Sequence, residues 1–480
     1  MVAGRSLPLY MNVATVFATW FGAETVLSVS ATFAKDGLSG IPGDPFGASV
    51  CLVIAALLFA RLFYRMNLLT IGDFYKQRYG KGVEVLTSVA IVLSYLGWTS
   101  AQMTALGLVI HVLSGGALDL TTSILAGACV VLVYTIFGGM WSVAFTDLFQ
   151  TVVILIGLTL VAVLVGDLAG GAGKVISQAA ADGKFAFFPS DAPGWWAMAG
   201  AFFAFAFGSI PQQDVFQRMT SAKDEKTAVR GTIIGGLIYF CFAFVPIFIA
   251  YAAVVADPAV AKLFDAEDAR EIQRILPDLV LGKMPLWAQV MFFGALLSAI
   301  LSTASGALLA PTSLFTENVL RPFVRMGDKQ FLLTLRIILV TFTAGALLFA
   351  LNSKSTMYEM VQNAYNVTLA GAFIPLLAGA YWKRATTQGA LFSIILGIGC
   401  WFGASQVAAE AMVPPNLVGF FASIIGMVLG SLAPQLIGNQ GHSIEAALRH
   451  AQQAAHAHHG GHGGTHGGAH GGSHGGAPRH

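Results

Sequence analysis

Charge is scarce in this chain. Only 10% of its 480 residues are Asp, Glu, Lys or Arg, against about a quarter in ordinary soluble domains. The charged shell of a water-soluble globule is missing, and the mean hydropathy of +0.72 agrees. Cysteine is scarce too. Cys51, Cys129, Cys241 and Cys400 stand singly in apolar stretches. They lack CxxC spacing and read as small buried hydrophobes. No dense basic patch lies outside the loops, and a net charge of +2 offers nothing for nucleic acid. HExxH, GxSxG and nucleotide-loop patterns are also missing, so the sequence does not read as an enzyme. The first apolar run has no cleavage pattern after it and is not a signal peptide.

Long apolar runs are what the chain has instead. A helix needs roughly 20 apolar residues to cross the hydrocarbon core. The sequence predicts twelve such spans: 9–33, 45–63, 82–112, 121–139, 143–167, 192–210, 230–253, 285–310, 330–351, 359–381, 386–406 and 415–435. A β-barrel needs strands of about ten alternating residues, and these runs are too long and too uniform for that. Basic residues crowd one set of loops, with Arg61, Arg65, Lys76, Arg78, Lys81, Arg218, Lys223, Arg321, Lys383 and Arg384. The opposite loops include the acidic 252–284 segment. That bias predicts a multi-pass protein of the inner or plasma membrane with both termini in the cytoplasm.

Polar groups inside the spans carry the chemistry. In the eighth span, Ser302 and Thr303 lie three and four residues after Ala299, so their hydroxyls share a helix face with its carbonyl. Three oxygens of that kind suit a small hard cation. Alone, such hydroxyls also bond back to their own helix. The first span holds Gly22 and Glu24 in mid-membrane, and the sixth holds Gly208 and Pro211. Broken first helices of two five-helix groups predict inverted repeats, the pattern of alternating-access carriers. Glu24 has several readings: a neutral acid, a group facing a wet path, a partner for a cationic solute, or a structural hydrogen bond. Asp147, after the turn between the fourth and fifth spans, either attracts a cation leaving inward or caps its helix. A solute site needs aromatic walls and a few polar groups. Trp20, Gly22, Glu24, Tyr95, Trp98, Gln102, Phe207, Gln362, Tyr365 and Asn366 are the candidates.

Several motifs together resemble the sodium/solute symporter family. They are Ala-Thr-Trp-Phe-Gly-Ala-Glu (18–24), Leu-Leu-Thr-Ile-Gly-Asp-Phe-Tyr-Lys-Gln-Arg-Tyr-Gly (68–80) and the stretch from Tyr134 to Asp147. Pro-Gln-Gln-Asp-Val-Phe-Gln-Arg (211–218), Leu-Ser-Ala-Ile-Leu-Ser-Thr (297–303) and Ser-Leu-Phe-Thr-Glu-Asn (313–318) complete the set. Their order and spacing, over roughly residues 3–435, carry the likeness, which is strongest to the bacterial sodium/proline type. The resemblance implies an all-α polytopic fold: a LeuT-like 5+5 inverted-repeat core over about 9–381, then two further helices over 386–435. It implies Na+ as coupling ion, held by the carbonyls of Ala18, Phe21 and Ala299 and the hydroxyls of Ser302 and Thr303. It places Asp147 on the ion's route to the cytoplasm. It also implies symport of a small organic solute by alternating access, with an amino acid such as proline first. A choline-like amine is the alternative, as is a transporter-like membrane sensor working with a partner. Proline-type members carry one more helix ahead of the core, so a start upstream of Met1 is expected. Beyond the solute and the lipid bilayer no partner is expected, and the chain reads as a monomer or weak homo-oligomer.

The end of the chain is different. Residues 436–480 read as a cytoplasmic, disordered His/Gly-rich tail. All but His111 of the 11 histidines lie there. His456, His458, His459, His462, His466, His470 and His474 are candidates for weak transition-metal binding.

Overall fold

The computed structural model describes residues 5–137, 140–407, 412–449 and 453. Its described elements are all helical, and one isolated bridge pairs Leu7 with Ala222. In a bilayer the backbone must satisfy its own polar groups, which is why uniformly apolar runs become helices. The first span is α1 (Leu9–Trp20) and α2 (Glu24–Asp36), bent by 55°. Then come α3 (Pro42–Met66), a short α4 (Ile71–Tyr79), α5 (Lys81–Leu113), α6 (Leu120–Phe137) and α7 (Met140–Leu168). After α8 (Ala172–Ala181), α9 covers 192–208 and α10 is Gln213–Thr220. The rest are α11 (Glu225–Ala256), α12 (Ile275–Lys283), α13 (Leu286–Leu320), α14 (Asp328–Asn352), α15 (Met357–Gly371), α16 (Phe373–Tyr381), α17 (Thr387–Val407) and α18 (Pro415–Leu432).

Each of the twelve predicted spans meets a helix. By length and apolarity, however, eight helices among the described residues can cross a membrane, or ten if α1/α2 and α15/α16 each count once. The sixth span falls short because it stops at Gly208; Gln212 is extended and α10 starts afresh at Gln213. That break follows from Gly208 and Pro211. The bend of 45° between α15 and α16 has a similar marker, since Gly371 ends α15 and Pro375 clashes with the carbonyl four residues before it.

Polarity is arranged inside out relative to a soluble domain. Leu57, Val133, Val290, Leu348 and Ile395 are exposed on the outside, while Asn12, Glu24, Asp44, Glu84, Asp147, Asp214 and Asn318 are buried. The basic loops gather on one face. Arg65 pairs with Glu225 at 2.8 Å, and the Tyr64 hydroxyl donates to Lys223 O. Lys81 Nζ donates to Pro322 O, and Lys383 pairs with Glu445. The opposite, acidic face joins Lys35 to Phe264 O and Lys184 to Lys35 O.

On the basic face α4 acts as a brace. A capping box between Thr70 and Asp73 starts it, and Gly80 (φ +90°) ends it. Its Tyr75 hydroxyl donates to Ala372 O and its Tyr79 hydroxyl to Pro375 O, at the bend between α15 and α16. The first part of the expected tail rests on this brace. The His442 amide donates to Gln77 O at 2.7 Å, and Asn439 Oδ1 accepts from the Thr387 hydroxyl. The candidate metal-binding histidines from 456 to 474 lie outside the described residues.

Candidate functional site: a broken helix against a hydroxyl pair

Three of the ion candidates, Ala18, Ser302 and Thr303, converge. Phe21 leaves helical geometry (φ −84°, ψ 79°), and the Gly22 amide turns back to Trp20 O at 3.1 Å. A continuous α-helix would have sent that amide to Ala18 O. The break therefore frees the Ala18 carbonyl. Across the gap, the Ser302 hydroxyl lies 3.2 Å and the Thr303 hydroxyl 3.3 Å from Ala18 O. Ala18, Phe21, Ala299, Ser302 and Thr303 are all buried. The Ala18 carbonyl and the two hydroxyls make a neutral, oxygen-only cradle, a donor set of the kind that suits a small hard cation.

Asp147 is closer to this cradle than a route residue need be. Its Oδ1 accepts from the Ser302 hydroxyl at 2.5 Å, and Arg218 Nη1 is 3.4 Å from its Oδ2. Asp147 sits inside α7, which begins at Met140, so it is not the helix cap that the sequence left open. Asn12 of α1 donates to the Arg218 carbonyl at 2.7 Å. The Ser302 hydroxyl, α7 and the end of α10 are thus one polar unit.

Next to it lies a packed cluster of aromatic rings, the candidate solute chamber. Trp20 stacks on Tyr365 at 6.3 Å and meets Tyr239 edge-on. Glu24 folds back over the break, accepting from Trp98 Nε1 at 3.2 Å and Gln102 Nε2 at 2.7 Å. Gly22 leaves the room that this carboxylate occupies, since a Cβ there would displace it. A second buried carboxylate, Asp44, accepts from the Thr25 hydroxyl at 3.0 Å and from the Tyr239 hydroxyl. Tyr95 packs on Trp98 at 5.7 Å and gives its hydroxyl proton to Asp214.

Three candidates stand elsewhere. Phe207 stacks on Phe373 at 5.3 Å and faces Phe420 of α18. Its neighbour Phe205 is the ring that meets Tyr365 at 5.2 Å. Gln362 lines a cavity of about 690 Å³ on the acidic face. Asn366 is buried one turn deeper, donating to Asn363 Oδ1 at 3.4 Å. Sequence reasoning missed Asp44, Asp214, Tyr239 and Phe205. Asp44 carried a usable signal: a carboxylate beside Gly43 and Pro45 just ahead of an apolar run.

A broken helix set against a hydroxyl-bearing one defines the class of ion-coupled secondary carriers. The particular group follows from comparison. The family model of the sodium:solute symporter family matches residues 1–397, and the chain belongs to that family. The high-affinity choline transporter 1 of Caenorhabditis elegans is 28% identical over 83% of this chain and 69% of its own length. The sodium/pantothenate symporter of Haemophilus influenzae is 24% identical, covering 89% and 90%. Among solved structures, a Na+-coupled sialic acid symporter in a substrate-bound outward-open state superposes with a TM-score of 0.73 and 19% identity, over 90% and 92%. MhsT in complex with L-phenylalanine gives 0.57 at 14% identity, over 89% and 99%. The fold is therefore that of LeuT-like symporters, and the chain is a multi-pass, sodium-coupled solute symporter. The family and these relatives are transporters, not enzymes.

Proposed function

We propose that the chain carries a small organic cation, a choline-like amine, together with sodium by alternating access, with the basic face in the cytoplasm. The observation that carries this reading is the pair of buried carboxylates, Glu24 and Asp44. Among the described residues, their hydrogen bonds come from neutral donors: Trp98, Gln102, Thr25 and Tyr239. A buried charge without an opposite charge is costly, and a cationic solute supplies one. Trp20, Tyr239 and Tyr365 offer the ring faces that attract an ammonium group, quaternary ones included. Proline, the solute expected first, brings its own carboxylate toward two others. The choline-transporting relatives support the amine reading.

Sodium entering from outside is held by Ala18, Phe21, Ala299, Ser302 and Thr303. The ion thereby ties α1 to α13 beside the chamber. Coupling requires that it bind the solute-competent arrangement better than the alternative. Asp147 accepts the Ser302 proton and so turns that hydroxyl's lone pairs toward the ion. A membrane potential contributes about 2.3 kcal/mol per charge per 100 mV, and a cationic solute draws on it as sodium does.

The test is uptake in proteoliposomes from a panel of choline, proline, glucose and pantothenate with an imposed sodium gradient. Choline should accumulate, and only with the gradient. Equal accumulation without it refutes symport; preference for proline refutes the cationic solute. Glu24→Gln should raise the choline half-saturation about tenfold or more. Ser302→Ala and Thr303→Ala should instead raise the sodium half-saturation.

A further inference from the structure

Three motifs left without a role by the ion and solute sites meet on the basic face. They are Leu-Leu-Thr-Ile-Gly-Asp at 68–73, Pro-Gln-Gln-Asp at 211–214 and Thr-Glu-Asn at 316–318. Their meeting point is the side-chain amide of Asn318, near the end of α13 and fully buried. Its Oδ1 accepts from the Thr70 hydroxyl at 2.6 Å. Its Nδ2 donates to Asp73 Oδ1 at 3.0 Å and to Glu84 Oε1 at 2.8 Å. One side chain thus uses both donors and its acceptor on α4, its cap and the start of α5. Gly72 makes room, because a Cβ there would strike the Asn318 amide. Beside it, the Ile71 amide donates to Gln213 Oε1 at 2.8 Å, which brings in the first turn of α10. Lys76 Nζ lies 3.6 Å from Glu84 Oε1 on the solvent side.

We propose that Asn318 is the keystone of the latch that keeps the basic-face side of the carrier closed. The inference rests on the alternating-access reading above. α10 follows the sixth-span break and α1 precedes the first, whereas α5 and α13 are unbroken. Opening a path from the chamber past the Ser302 cradle requires α10 to part from α13. Gln217 of α10 and Ser313 of α13 touch along that line, Nε2 to Oγ at 3.3 Å. The Asn318 amide locks α13 to α4 and α5, and Gln213 locks α10 to the same α4. At least one of these locks must yield before the gap between α10 and α13 widens, and the Asn318 lock is the larger of the two. Asn318 touches neither ion nor solute and acts as a positioning residue.

The test reads that gap directly. Ser313→Cys is placed in a chain whose Cys129, Cys241 and Cys400 are replaced by alanine; Cys51 is buried and kept. Its labelling by a membrane-impermeant maleimide is timed in inside-out and right-side-out vesicles. Asn318→Asp keeps the shape but removes the donors and sets a third carboxylate beside Asp73 and Glu84. It should speed labelling from the inner side about tenfold. Gly72→Ala, which displaces the amide from the other side, should act in the same direction, and Thr70→Val more weakly. Adding Glu84→Gln to Asn318→Asp returns a donor to the gap and should slow labelling again. Unchanged rates in Asn318→Asp and in Thr70→Val overturn the latch, and the milder variant decides if the first does not fold. Faster labelling only in right-side-out vesicles keeps the latch and overturns the assignment of faces. Absence of sodium-dependent uptake with these labelling changes present overturns the symport reading alone.

Discussion

The two faces of the carrier are closed by different chemistry. On the acidic face the cover is largely one ring. Tyr358 stacks on Phe205 at 5.4 Å, its amide donates to Ser28 Oγ at 3.0 Å, and its hydroxyl accepts from the Gly43 amide at 3.1 Å. Immediately above it opens the cavity of about 690 Å³ lined by Asp36, Glu267 and Glu359. On the basic face the cover is a lattice: the Asn318 amide, Gln213, and the α4 side chains of Tyr75, Arg78 and Tyr79. Neutral hydrogen bonds contribute about 0.5–1.5 kcal/mol net and those to charged groups about 1.5–3. Two neutral bonds and a ring stack therefore resist opening less than a lattice with charged members. On the proposed alternating-access reading, the difference favours one entrance: the thin cover would yield to a solute arriving from the cavity, and the lattice would open only once ion and solute are bound. The acidic lining of the cavity suits a cationic arrival.

The comparison breaks most easily at Arg78. Its side chain is buried, with Nε donating to Gly379 O at 3.1 Å and Nη2 to Ala385 O at 2.8 Å. A guanidinium there satisfies carbonyls at and beyond the end of α16, where helices leave them open. Arg78→Ala should destabilise the protein by about 3 kcal/mol through two charge-assisted bonds. The thermal unfolding midpoint in detergent measures it. A fall no larger than that of Tyr358→Phe would erase the asymmetry between the faces.

Tyr358 tests the thin side. Tyr358→Ala removes the ring over Phe205 and should raise the solute half-saturation about tenfold, because the chamber no longer closes over its occupant. Tyr358→Phe keeps the ring and should stay within about twofold. If the two variants behave alike in uptake, the hydroxyl rather than the ring closes this face.

How much of this was readable from residues alone depends on distance along the chain. The Ser302/Thr303 face needs only helical spacing, and Gly22 marks the break it meets; both are local facts. The partner at Ala18 came from the family likeness and agrees with the geometry. Phe207 and Phe205 both lie in residues 204–208, which are not ordinary α-helix. Their π-type turns rotate the faces, and Phe205 looks inward instead. Gln362, near the start of α15, lines the acidic-face cavity, a position that helical spacing alone does not give. Asp44 left a local signal, a carboxylate between Gly43 and Pro45 ahead of an apolar run, but its partners Thr25 and Tyr239 are set by tertiary packing. The Asn318 lattice was unreadable for the same reason. Thr70 and Glu84 stand more than 230 positions from it, at separations of 248 and 234, so only tertiary packing joins them.

The smallest expected effect lies where the C-terminal segment rests on the lattice. Lys383 Nζ and Glu445 Oε1 are 2.9 Å apart, but the side chains are 88% and 63% exposed. Such pairs contribute little. The hydrogen bond to Lys383 holds the Glu445 carboxyl below its ordinary range, and Glu445 holds the Lys383 ammonium above its own. A lowered acid gives its support above the ordinary carboxyl range near pH 4 and loses it as pH falls further. A raised base gives its support below about pH 10 and loses it as pH climbs higher. Between those limits the contact does not titrate. Amide exchange of residues 444–449, a helical turn, should thus be equally protected at pH 6 and pH 8 after correction for intrinsic rates. Lys383→Ala should change that protection by less than about twofold. Thr387→Val should change it more, because the Thr387 hydroxyl donates to Asn439 Oδ1 and accepts from the Gln440 amide, both at 3.0 Å. A larger loss in Lys383→Ala than in Thr387→Val would mean that the segment is held by surface charge, and that the basic face is not a lattice of buried polar bonds to its edge.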